Sequence, residues 1–441
     1  MKSFVCAAAI AASCGLAAPA WGATPVMRLF QEGDALAGST VDAVNAAFMS
    51  GNGTVATLGT LEDGRRFVWV NDGVAWTSDL FPDTVTGAES SIGVGDDGSW
   101  TASFSLPASG TSGTDDSWAH SSNQTIAREF DDYPFIDDQI VGFASRPSMD
   151  DNGTAYTVGG YRLDDGSNSG SDGRAFWRST NPGAANPTYD VVYQSFEVID
   201  GFTVGNGGVD FTYDVSGNGN SLITEIVFND TPTTGDDNMI YHIDLNSGVK
   251  TRLGREGDAT GAGDNFDNWD GVSVNNRGDY LIHGDTDGDT ATDEFILVNG
   301  DIVYREGNLV DGVAMDLVDA ADINDHGQMV AVFNTEADSG IESLVFGAEA
   351  GNRSTWEIIL TVGDTLDFDG DGLSDGTLDD FNISAFSNPF EIGNGRTVWL
   401  EVDYTDLAGG SFEAIIGVAV PTPGAAGLLA LGGLAAARRR R

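Results

Sequence analysis

The sequence predicts an all-β fold, a seven-bladed β-propeller of four-stranded blades, with an N-terminal signal helix before it and a short hydrophobic helix after it. Three observations predict this. Two short motifs recur in constant phase through the body, the segments between them read as short strands joined by Asn/Asp-Gly turns, and helical periodicity is confined to the two ends.

Composition limits the classes first. Glycine accounts for 59 of 441 residues without a Gly-X-Y period, which excludes a collagen-like chain. With 41% hydrophobic and 10% aromatic residues, the chain is apolar enough to bury a core. It carries 20 basic residues against 68 acidic ones, a net charge of −48. Nucleic acid is thereby excluded as a partner, because phosphate binding needs clustered Lys and Arg.

The N-terminal region, residues 1–23, has the layout of a secretory signal peptide: Lys2, an apolar run from Phe4 to Ala12, then small residues. Cleavage after Ala20 or Gly22 leaves small residues at both positions a signal peptidase reads. A lipoprotein signal at Cys14 is the alternative, but Ala11 stands where such signals usually carry Leu. The only cysteines, Cys6 and Cys14, leave with this segment. The exported body therefore depends on packing or bound ions instead of disulfides.

At the other end, residues 421–441 read Pro421-Thr422-Pro423, an apolar run from Gly424 to Ala437, and Arg438 to Arg441. Fourteen helical residues span about 21 Å, short of the roughly 30 Å hydrocarbon core. The arginines hold that end on the cytoplasmic side. This segment resembles the PEP-CTERM sorting signal of Gram-negative bacteria, with Thr422 where the family's name expects Glu. The resemblance implies an exosortase-type sorting enzyme and the secretion machinery as partners. It also implies transient inner-membrane anchoring before processing, and a destination at the cell surface or in the extracellular matrix. A plain tail anchor is the alternative. Without Lys2 and the four arginines, 15 basic residues face 68 acidic ones, so the body is strongly hydrated and attracts cations.

The repeat domain spans residues 24–420. One motif is an Asn/Asp-Gly turn before an apolar stretch, clear at Asn324 to Gly327, Asn275 to Gly278 and Asp150 to Gly153, and looser at Gly53, Gly98, Gly219 and Gly395. The other is an apolar run ending in Glu-Gly-Asp or a relative, at Glu32-Gly33-Asp34, Glu256-Gly257-Asp258, Glu306-Gly307-Asn308 and Val362-Gly363-Asp364. Worn copies are expected at Ser78-Asp79, Arg128 to Asp131 and Val192 to Glu197. In the clear copies the second motif precedes the first by 20 or 21 residues. In the last copy the offset is 32, and the surplus coincides with the insertion Asp367 to Asp375.

In the sixth copy the four strands are read as Asp301 to Arg305, Asp319 to Ile323, Gln328 to Phe333 and Glu342 to Phe346, and Asn299-Gly300 is read as a hairpin turn. A mean period near 57 residues favours propeller blades over a β-solenoid, whose repeats are usually shorter. The Asn-x-x-Gly-x-x-apolar pattern resembles the NxxGxxAF-type repeats of PEP-CTERM proteins, a resemblance that implies no activity. Ring closure is expected from Val26 to Asp34 meeting Phe412 to Val420.

The sharpest chemical motif is Asp367-x-Asp369-x-Asp371-Gly372-x-x-Asp375. Alternate carboxylates in a tight loop supply the hard oxygen ligands that suit Ca2+. The motif resembles the calcium loops of thrombospondin type 3 repeats and dockerins. That resemblance implies Asp367, Asp369, Asp371, the Leu373 carbonyl and Asp375 as ligands of a structural Ca2+, although Leu378 stands where an EF-hand carries its closing Glu. A solvated acidic loop is the alternative. A weaker echo is Asp285, Asp287, Asp289 and Asp293, which lacks the loop glycine.

The four histidines are scattered and form no zinc pattern, and His326 reads as turn surface. No Gly-x-Ser-x-Gly elbow occurs, Asp96 to Trp100 is only a partial sialidase-type Asp-box, and the tryptophans suit inter-blade packing. These features point to an exported, cell-surface-sorted, non-catalytic structural or binding protein, with extracellular polysaccharide or surface proteins as partners. The alternative is an extracellular carbohydrate-active propeller, either glycan-binding or a hydrolase or lyase.

Overall fold

A computed structural model of the chain describes residues 23–70, 74–82, 84–108, 114–163, 172–232, 235–335, 338–382, 390–392 and 397–420. Residues 1–22 of the expected signal peptide, the expected sorting segment at residues 421–441 and the expected seventh turn at Gly395 lie outside the described residues. Within them the chain is all-β. The only helical turns are Ser78–Leu80 and Arg353–Thr355, and no helix is long and apolar enough to cross a membrane.

The strands form a propeller arrangement. Six blades, 35–77, 87–128, 139–194, 198–255, 266–305 and 309–361, are each an antiparallel meander built from one run of chain. Four strands make each blade, and three blades add a two-residue hairpin strand, Ala35–Leu36, Val198–Ile199 or Leu309–Val310. The remaining sheet is composite. It unites Thr24–Gln31 from the start of the chain with strands between 365 and 419, and Val26↔Val418 through Gln31↔Ala414 are paired antiparallel as expected.

The turn after each innermost strand repeats in six copies. Gly53, Gly98, Gly153, Gly219, Gly278 and Gly327 each donate their N–H to the carbonyl three residues back. All six have φ between 68° and 90°, the left-handed region that favours glycine. Asp150, Asn275 and Asn324 cap their turns by accepting from the amides two and four residues on. Where Ser50 or Ser216 opens the turn, Asn52 or Asn218 supplies the cap from inside it.

The second motif is the turn that carries an outermost strand into the next sheet. Gly33, Gly257, Gly307 and Gly363 each donate to the following strand, and Phe130 and Phe196 hold the same position at φ 72° and 68°. These two worn copies keep the turn without its glycine. Arg162 lies over the Phe130 ring at 4.7 Å, so that phenylalanine has a contact glycine would lose. The third, at Ser78-Asp79, is a 3-10 turn instead.

One strand reading needs correction. Asp301–Arg305 pairs with Phe295–Val298 and is the outermost strand of the fifth blade; the sixth blade ends on Trp356–Thr361. The sequence repeat is thus offset by one strand from the blade, because the Glu-Gly-Asp turn lies between blades and not inside one.

Ala37-Gly38 occupies the hairpin position that Asp200-Gly201 and Asp311-Gly312 hold in other blades, and Ala37 has φ 50°. Alanine is strained there, whereas Asn-Gly is the favoured pair. Ala37→Asn is expected to raise unfolding free energy by about 0.5–1 kcal/mol, read from urea denaturation; an unchanged midpoint would contradict the turn assignment.

Packing joins each sheet to the next. Trp76 and Trp100 meet between the first two blades, Trp118 and Trp177 between the second and third, and Tyr156 and Val204 between the third and fourth. Ile223 and Phe266, then Tyr304 and Phe333, continue the series. Val330 then packs with Val398 of the composite sheet, which in turn packs Phe30 and Ile415 against Val41 and Phe67 of the first blade. Each four-stranded sheet has two apolar faces and hides both only between neighbours.

Candidate functional site

A central cavity of about 220 Å³ is lined by the innermost strands of all six blades and by Ile392 of the composite sheet. The strands run nearly to the axis, so the turn residues of different blades meet there. Six aspartates, Asp151, Asp214, Asp270, Asp319, Asp322 and Asp325, line it beside one arginine, Arg146, and one histidine, His283.

Two tiers of polar contacts link the blades around this cavity. In the turn tier, Asn52 N–H donates to Asp96 Oδ1 at 3.0 Å, Asp96 N–H to the Asp151 carbonyl, and Asp151 N–H to the Gly217 carbonyl at 2.7 Å. Asn218 then donates through its backbone and side chain to Asn276, and Asn276 does the same to Asp325, at 2.7 and 2.8 Å. Asp151 also accepts from Gly51 N–H at 2.6 Å. Its carboxylate fills the space that a Cβ on Gly51 or Gly217 would need, within 2.5 Å.

In the tier below, Asp214 accepts from Val274 N–H at 2.7 Å. Asp322 accepts from Ser273 Oγ at 2.6 Å and from Ile392 N–H at 2.9 Å, tying the fifth blade, the sixth blade and the composite sheet together. Burial, then the nearby Asp322 charge, pushes the Asp214 carboxyl up to about 7. Burial likewise raises Asp322. These groups are structural ties, each spent on a neighbouring backbone or hydroxyl.

Phe48, Phe211 and Tyr213 stand on the cavity wall, and the described tryptophans lie elsewhere. Trp76, Trp100, Trp118, Trp177, Trp269 and Trp356 are all buried, and no tryptophan lines the cavity. Trp100, in the partial Asp-box, packs at 5.1 Å on Trp76. His326 is exposed in its turn, while His283 is buried and held down to about 4 by that burial. No nucleophile–base pair is assembled among the described cavity residues.

The Asp367 to Asp375 insertion expands a hairpin that is a two-residue turn in the first, fourth and sixth blades. It joins Thr365–Asp367 to Gly376–Phe381, beside the first strand, where Pro25↔Asp367 pair in parallel. Asp367 is buried and accepts from Gly370 N–H at 2.6 Å and Gly372 N–H at 2.8 Å. Asp375 accepts from Phe368 N–H at 2.7 Å. Oxygens of Asp367, Asp369 and Asp375 lie within 4.8 Å of one another. Asp371, the fourth carboxylate of the motif, instead caps Leu373 N–H and is outside this group; Leu373 itself is exposed.

The weaker quartet is not brought together. Asp287 holds Asn265 through its backbone and side-chain amides, Asp289 caps Ala291, and Asp293 lies beside Glu306. Asp285 instead faces Asp270 and Glu294, with one oxygen of each within 4.8 Å of the others. The reason is strand alternation: neighbours along a chain diverge, whereas residues on adjacent strands converge. Sequence spacing alone could not find Asp270 and Glu294, which lie 15 residues before and 9 after Asp285.

No family model matches the chain, and no curated protein matches it. Among solved structures it is similar to prolyl oligopeptidase B from Galerina marginata, at 10% identity and TM-score 0.42, over 84% of this chain and 50% of that one. It is also similar to PorZ, a surface component of the type-IX secretion system of Porphyromonas gingivalis, at 14% identity and TM-score 0.27, over 83% of this chain and 39% of that one. A third is a GH93 α-L-arabinofuranosidase of Fusarium graminearum, at 10% identity and TM-score 0.33, over 89% and 98%. The chain spans half or less of the first two, and at these scores none of the three decides activity or ligand.

Proposed function

We propose that this chain is an exported, cell-surface-sorted protein whose acidic seven-bladed propeller works without catalysis, as a structural or binding body stiffened by Ca2+. The observation that carries the non-catalytic reading is the use of the cavity carboxylates Asp151, Asp214, Asp322 and Asp325 as ties between blades while Trp76, Trp100, Trp118, Trp177, Trp269 and Trp356 are buried away from the cavity. A seventh blade is supported by the composite sheet, which packs on both the sixth and the first blade. Sorting through an exosortase-type enzyme rests on the Pro421 to Arg441 pattern, and a Gram-negative-type cell surface follows from it.

Calcium at Asp367, Asp369 and Asp375 is supported by their convergence and by the left-handed Gly370 and Gly372 that turn the loop. Because Asp367 is paired with Pro25, an ion there would brace the first strand at its place in the composite sheet.

The test is a glycan and extracellular-polymer binding screen of residues 23–420, run with and without Ca2+. Saturable binding without turnover is expected. Ca2+ is expected to raise the melting temperature, with Asp369→Ala plus Asp371→Ala removing most of the gain. Turnover of a polysaccharide, abolished by a single acidic substitution, would establish the carbohydrate-active alternative.

A further inference from the structure

We propose that Asp270, Asp285 and Glu294 form a second divalent-cation site, of the hard, Ca2+-accepting class, in the wall of the axial cavity. It is independent of the Asp367 loop.

The site is built from three adjacent strands of one blade. Asp270 is the extra residue of a bulge between Trp269 and Gly271 on the innermost strand. Asp285 and Glu294 follow directly on the registered pair Gly284↔Phe295 of the next two strands. Like charges facing each other across strands are destabilising, so this triangle needs a compensating partner. The basic side chains of the fifth blade are engaged elsewhere: Arg305 pairs with Asp264 at 2.8 Å and Arg277 with Asp279.

Glu294 is the independent indication of a ligand. It is only 6% exposed, its carboxyl points into the triangle, and its Oε2 has no hydrogen-bond partner. The Val318 backbone N–H of the next blade reaches the same carboxyl, which leaves the other oxygen unmatched. Burial, then Asp285 and Asp270, pushes this carboxyl up to about 10, as expected where negative charge lacks a counter-ion.

The sixth blade contains the same triangle with its donor present. Asp319 is the bulge residue between Val318 and Ala320, and Asn334 pairs with Glu342. There the Asn334 amide donates to Asp319 at 2.7 Å. In the fifth blade Asn268 donates to Asp270 at 2.7 Å, but Asp285, an acceptor, stands where the sixth blade has Asn334, so the edge between Asp285 and Glu294 Oε2 lacks that amide and a cation takes its role. Three carboxylates and no nitrogen or sulfur ligand select a hard ion. Asp270 is exposed to the cavity, which provides the entry path and room for water ligands.

The test uses Ca2+ on the full repeat domain carrying Asp369→Ala and Asp371→Ala, so that the loop contributes nothing. Calorimetry is expected to find one remaining Ca2+, and the melting temperature is expected to rise by about 3 °C at a hundredfold excess over Kd. Adding Asp285→Asn, which copies the sixth blade, is expected to weaken Ca2+ binding at least about tenfold and to raise the melting temperature in chelator. Glu294→Gln gives a second variant, and terbium luminescence excited through Trp269, adjacent to Asp270, reports the site optically. Unchanged Ca2+ affinity after Asp285→Asn would overturn the proposal. So would the absence of binding up to about 10 mM on the loop-deficient background, which would mean that the cluster shares protons instead. Failure of the loop proposal alone would show as identical calcium responses with and without the loop substitutions.

Discussion

Phe30→Ala is expected to destabilise the protein by about 3–5 kcal/mol, the range for truncating a buried phenylalanine. Phe30 lies on the first strand but packs in the last sheet, 5.9 Å from Phe67 and 5.5 Å from Trp69 of the first blade. The truncation leaves a cavity in the cluster that joins the composite sheet to that blade. Loss should therefore concentrate at the closure. Hydrogen exchange of Ser411–Ala419, the partner of Thr24–Gln31, should accelerate more than that of Ser221–Phe228 in the fourth blade. Val198→Ala, at a 65% exposed position, is the control and should change little. Equal exchange in both strands would mean that the closing sheet is no weaker than its neighbours.

In chelator, the melting temperature is expected to be highest near pH 4 and to fall by about 5 °C by pH 8. Asp319 is raised to about 6 by burial and then by Asp380 and Asp316. Glu342 is raised to about 7 by burial, Asp380 and Asp319, and Asp214 to about 7 by burial and Asp322. Unfolded carboxylates titrate near 4. Between that value and their folded values, these groups hold protons in the folded state that the unfolded chain has released. Their stabilising contribution is full below about pH 4 and is lost as pH rises through 6 to 7. Groups such as Asp244, lowered by the Ser247 and Asn246 amides, act in the opposite sense and set the acid limb below pH 4. Divalent cations should flatten the alkaline side. A melting temperature that climbs from pH 5 to pH 8 in chelator would refute the upward displacement of these three carboxyls.

Much of this architecture is legible in the sequence. The Asn-x-x-Gly turns are local: a side-chain cap, a backbone bond to the residue three back and one left-handed glycine suffice, so each copy reads out of a short window. Phe130 and Phe196 were recognisable only by phase, since neither resembles the glycine whose place it takes. The Asp367 loop was readable because its ligand spacing lies within nine residues, yet Asp371 turned out to serve the loop backbone.

By itself the sequence determined the β character, the turn chemistry and the phase of the repeats, because these depend on local propensity and on the alternation of apolar residues; the register Val26↔Val418 at the closure came from the tertiary structure. Only the tertiary structure decided which blade owns Asp301–Arg305, and that Asp285 belongs with Asp270 and Glu294. Both outcomes rest on strand register and a single bulge, which bring together residues that spacing along the chain keeps apart.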